Sequence, residues 1–149
     1  MKFKRNREKL NKIFSQNHVI LAYVFGSCAR GKQGPLSDID IAVLFSEELP
    51  KKDHFDKELN LALEIGDLFK VDRVDIINLK TVNDPLLKHS AVFKGKAIFV
   101  KDKKLKFRLE SQIMKAYEDT KYLREVAYKI LAEHVRKGTF GKPLISIYK

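Results

Sequence analysis

Two aspartates one residue apart, Asp38 and Asp40 in "DIDIAVLF", are the side chains here best suited to chemistry. On an extended strand, residues i and i+2 leave the same face roughly 6.5–7 Å apart along the chain, so both carboxylates can serve one pocket. Hard oxygen ligands at that spacing suit two Mg²⁺ ions held about 3.5–4 Å from each other. Without metal, carboxylates so close repel, which makes a purely structural pair costly. Aspartates opening a strand also serve as plain turn formers, so the pair gains meaning only from a second half.

That half is Gly26-Ser27, followed by ten residues and then Asp38-Ile39-Asp40, a G-S-x₁₀-D-x-D pattern. Glycine lets backbone approach a phosphate closely, and Ser27 offers a hydroxyl together with the N–H groups of a short helical turn over 27–30. Arg30 and Lys32 either add charge toward a triphosphate or simply face solvent. From Gly26 to Lys32 the stretch also matches a P-loop, but Gln33 stands where Ser or Thr would hold Mg²⁺. Gly34 and Pro35 follow, and proline would break the helix that a P-loop must open. The aspartates, not the P-loop, name the chemistry.

The elements that must position these residues are legible from periodicity. "VILAYVF" (19–25) reads as a buried strand ended by Gly26, and "DIDIAVLF" as the next, with Asp38, Asp40, Ala42 and Leu44 on one face. Residues 3–16 read as one amphipathic helix. Phe55, Leu59, Ala62, Leu63, Gly66 and Phe69 mark a helix expected to pack that side on the sheet. "RVDIINL" is a third strand, Pro85 to Ser90 a short helix and "KAIFV" a fourth strand. Leu105, Leu109, Ile113, Ala116, Thr120, Leu123, Ala127, Leu131 and His134 form a helical stripe, and Gly138 supplies a stop. The tail from Thr139 is an edge strand or a docked coil. Without repeats or linkers, the chain reads as one α/β domain over 1–149.

Thirty Lys plus Arg against nineteen Asp plus Glu give a net charge of +11, with six basic residues in the first twelve. Such a balance favours polyanions: nucleoside triphosphates, RNA or an acidic protein. Nucleic-acid binding has no RNP, KH or helix-turn-helix motif behind it. The single cysteine, Cys28, excludes an internal disulfide and a Cys-based zinc site, in keeping with a reducing, cytoplasmic setting. Neither a secretory signal nor a membrane span is expected. The four histidines lack zinc-like spacing, and Tyr117 and Tyr122 read as helix-positioning residues.

"GSCARGKQGPLSDIDIAVLF" resembles the core of the DNA polymerase β-type nucleotidyltransferases, and within them the minimal nucleotidyltransferase (MNT) domains. "RVDIINL" is like the strand supplying that family's third carboxylate, which places Asp75, inside the strand pattern, ahead of Asp72. "PLLKHSAVFKGKAIFVKD" and "YEDTKYL" resemble later family segments, so the likeness spans about residues 19–125. Cys28 departs from an arginine often found there. The resemblance implies a nucleotidyltransferase fold and Mg²⁺-dependent transfer of AMP from ATP. Asp38, Asp40 and Asp75 would hold metal, and Gly26, Ser27 and Arg30 the nucleotide. It also implies an antitoxin role, with a tyrosine of a partner HEPN toxin as acceptor. Alternatives are a non-catalytic antitoxin that binds nucleotide, or an enzyme nucleotidylating an antibiotic.

Overall fold

The computed structural model describes residues 2–26, 29 and 38–138. Helices α1 (Lys2–Arg5) and α2 (Arg7–Gln16) lead into strand β1 (Val19–Phe25) and then β2 (Ile39–Phe45). A 3₁₀ turn at Lys51–Asp53 opens α3 (His54–Phe69), followed by β3 (Val74–Asn78) and α4 (Pro85–His89). A π-helical turn (Ser90–Lys94), β4 (Lys96–Val100) and α5 (Lys103–Lys137) complete the order. The expected helix over 3–16 is thus two pieces, interrupted at Asn6, whose carbonyl still accepts from Leu10 N–H at 2.9 Å.

The sheet order is β3-β2-β1-β4; β1 runs antiparallel to both neighbours, and β2 pairs with β3 in parallel. As a central strand β1 is buried on both sides, which explains its unbroken apolar run. One sheet face carries Ile39, Ile41 and Val43 against Phe14 of α2 and Leu61, Ile65 and Phe69 of α3. The other carries Leu21, Tyr23 and Ala42 against Ala91, Val92 and Ile113. Asp84 caps α4 through Leu86 and Leu87 N–H, Asp102 caps α5 through Leu105 N–H, and Gly138 ends α5 at φ +71°.

Of the apolar stripe expected to seat α3, Phe69 is buried and Ala62 and Gly66 are half-buried, but the three large residues at its front face outward. Phe55, Leu59 and Leu63 are 65%, 49% and 68% exposed, whereas Leu61 and Ile65 are fully buried. The inward line, about a third of a turn away, includes the polar residues His54 and Glu58, which disguise it in the sequence. They are accommodated by Asn78, whose amide donates to His54 Nδ1 at 2.9 Å and whose oxygen accepts from Lys80 N–H at 3.0 Å. His54 Nε2 then donates to the Leu49 carbonyl at 3.3 Å. In α5 the expected stripe is covered only in its first half: Ile113 is buried, while Leu123 and Leu131 are 65% and 43% exposed.

Because the Asn78 side chain is buried and satisfies groups on α3 and on the turn after β3, Asn78→Ala is expected to cost about 1–3 kcal/mol. Urea unfolding of the two proteins measures it, and an unchanged midpoint would show that the network contributes nothing.

Candidate functional site

The parallel ladder between β2 and β3 sets Asp40 directly beside Asp75, and the antiparallel ladder sets Phe25 across from Asp40. Asp40 shares its face with Ala42 and Leu44, and Asp75 shares its face with Ile77, so both carboxylates leave the α4/α5 side of the sheet. Asp38 stands two residues before Asp40, exposed at the mouth of the same strand. Burial raises the Asp40 pKa above the ordinary aspartate range, and Asp75 and then Asp38 push it further up; Arg73 partly offsets them. A side-chain hydrogen bond with Asp75 also favours the protonated form. Asp40 therefore senses both of the other acids.

Gly26 closes the site from the β1 side. Its φ is +71°, a conformation that strains any residue with a Cβ. A Cβ placed there would lie 2.6 Å from Asp40 Oδ2. Main chain at the end of β1 therefore touches the carboxylate directly, and the two halves of the sequence pattern meet in space. Ser27 and Arg30 lie outside the described residues.

A polymerase beta nucleotidyltransferase family model matches residues 8–104. The chain belongs to the polymerase beta nucleotidyltransferase family. Among solved structures it is similar to a chain of a toxin–antitoxin complex with AMP-PNP, at 25% identity and a TM-score of 0.70, covering 85% of this chain and 98% of that one. It shares a fold with a chain of the complex between the tri-AMPylated Shewanella oneidensis HEPN toxin and its MNT antitoxin, at 22% identity and a TM-score of 0.67, covering 89% and 99%. No curated protein matches the chain.

Among the described residues, Arg73 is a cation beside the acids. Its Nη1 is 3.8 Å from Asp38 Oδ2 and its Nε is 3.3 Å from Asp75 Oδ2. Ile39 N–H donates to the Arg73 carbonyl at 3.2 Å, which fixes the residue at the start of the ladder. The sequence reading gave Arg73 no role, although its place two residues before Asp75 puts both on one side of an extended segment. Among the described residues, no three metal-ligating side chains stand arranged to hold an ion as they are. The donor set still fits a hard divalent cation. Asp40 and Asp75 are adjacent carboxylates with mutually unfavourable charge, and the Arg73 side chain, 67% exposed, can swing into solvent. No helix among the described residues is long and apolar enough to cross a membrane.

The crowding has a measurable cost. Above the ordinary aspartate pKa of about 3.9 and up to the raised value of Asp40, the folded chain binds more protons than the unfolded chain. Metal-free stability therefore falls as pH rises through that window and stays reduced above it. Asp40→Asn removes the penalty, and a higher unfolding midpoint in EDTA at neutral pH is expected. Urea unfolding in EDTA reads it, and a less stable variant would contradict the assigned repulsion. Gly26→Ala should do the opposite, losing about 1–2 kcal/mol through positive φ alone.

Proposed function

We propose that this chain transfers AMP from ATP to a hydroxyl of a protein partner, a tyrosine of a HEPN toxin, and acts as that toxin's antitoxin. The carrying observation is Asp40, set beside Asp75 in the ladder and two residues after Asp38, with Gly26 against its carboxylate. It is supported by family membership, by a structural neighbour solved with AMP-PNP, and by one described as an AMPylated HEPN toxin with its MNT antitoxin.

In this reading Asp38, Asp40 and Asp75 would hold Mg²⁺, whose charge would neutralise the reacting phosphoryl group and favour deprotonation of the acceptor. Gly26 brings main chain close to the phosphates, with Ser27 and Arg30 beyond it as further phosphate contacts. The acceptor oxygen bonds to the α-phosphorus as the bond from that phosphorus to the bridging oxygen breaks. The hydroxyl proton passes to a carboxylate oxygen of the cluster, and pyrophosphate departs. Arg73, displaced from Asp38 and Asp75, remains near enough to meet phosphate charge.

Label from α-labelled ATP, and not from γ-labelled ATP, is expected on a tyrosine of the toxin after incubation with the chain and Mg²⁺. The Asp38→Asn, Asp40→Asn double variant should lose at least roughly a hundredfold in rate. Equal labelling by that variant would reject the assignment. A second reading, neutralisation by complex formation alone, draws on the ion pairs that Arg73 makes with two of the three acids. It requires that the double variant still silence the toxin.

A further inference from the structure

Helix α3 carries two apolar lines, and the domain uses one. Leu61, Ile65 and Phe69 are buried under the sheet, while Phe55, Leu59 and Leu63, spaced i, i+4, i+8, lie 65%, 49% and 68% exposed on the outside. Half-buried Ala62 borders that outer line. Three large apolar side chains in one row make a continuous patch, unlike the scattered exposed apolar residues common on monomers.

The row reads the same from either end. Counting outward from Leu59, Phe55 is matched by Leu63, and Lys51, in the turn that opens the helix, is matched by Asp67. Lys51 and Asp67 are both exposed. Two copies of α3 laid antiparallel about a two-fold axis at Leu59 would therefore place Phe55 on Leu63 and Lys51 on Asp67 twice over. Asp56 falls opposite Ala62, so like charges do not meet on this row. Residues 51–70 hold four lysines and five acidic residues, a net of −1, within a chain of +11. Contact through this helix therefore avoids the repulsion that the basic remainder of the surface would impose.

We propose that the outer face of α3 is a self-association surface that pairs two copies of this chain through an isologous, antiparallel helix contact. The contact lies on the sheet face opposite Asp40 and Asp75, so each copy keeps its carboxylate cluster open. Three side chains per copy make a small interface, and the dimer is correspondingly weak, with a dissociation constant on the order of tens of micromolar.

Sedimentation equilibrium of the full chain over a range of concentrations, at moderate salt, tests this. A monomer–dimer equilibrium is expected. Leu59→Arg sets two like charges on the axis at an exposed position and should shift the protein to monomer, with its circular-dichroism melt unchanged. Lys51→Glu should weaken the dimer at least several-fold, and adding Asp67→Lys should restore it, a recovery that general surface stickiness would not produce. A wild-type chain monomeric throughout, or a dimer indifferent to Leu59→Arg, would overturn the proposal. So would a monomer in which Leu59→Arg abolishes binding to a different protein, since the face would then belong to that partner.

Discussion

The register of one parallel strand pair governs this molecule. Ile39 N–H on the Arg73 carbonyl begins a ladder in which Asp40 and Asp75 fall side by side. Side chains alternate along each strand, so a slip of one residue would send Asp75 to the α3 side and bring an isoleucine or valine to the site. Two buried layers prevent that slip. Ile39, Ile41 and Val43 are held under α2 and α3, while Ala42 and Ile77 are held beneath the α4/α5 side. The site's geometry is thus secured by apolar packing that includes none of its acids.

The electrostatics run against the packing. A chain of +11 concentrates several acids at the mouth of two strands, where burial and the neighbouring carboxylates disfavour the ionised form of Asp40. Arg73 relieves part of the strain by pairing with Asp38 and Asp75, though both pairs are solvent-exposed and weak. Such carboxylates, paired among the described residues with an exposed arginine, would be stabilised by a divalent cation. The basic remainder of the surface would meanwhile attract the triphosphate that such a cation accompanies.

Much of this was legible in the sequence, and the limits have physical causes. The strands at 19–25 and 39–45 announced themselves through β-branched runs and alternation, and Gly26 through its place at a strand end. Helix α3 was located correctly, and Phe69 is buried as expected, but Phe55, Leu59 and Leu63 face outward. Periodicity finds apolar lines without saying which one is buried, and the true inward line hides His54 and Glu58, made tolerable by Asn78 from a strand twenty or more residues away. Arg73 went unassigned for a similar reason, since its partnership with Asp38 exists only once the parallel ladder has formed. Along α5, the heptad-like pattern continues past the last residue the sheet can cover, so periodicity overstated burial from Leu123 onward. The assignments of Ser27 and Arg30 rest on the sequence pattern.

The account stands on Asp38, Asp40 and Asp75 forming one divalent-cation site beside Gly26. Mn²⁺ titration of the full chain with a non-hydrolysable ATP analogue, followed by electron paramagnetic resonance, tests that most directly. Bound Mn²⁺ approaching two ions per chain, with affinity falling at least roughly tenfold when any one of the three aspartates becomes asparagine, is the result the account requires. Binding that is absent, or indifferent to all three substitutions, would contradict it.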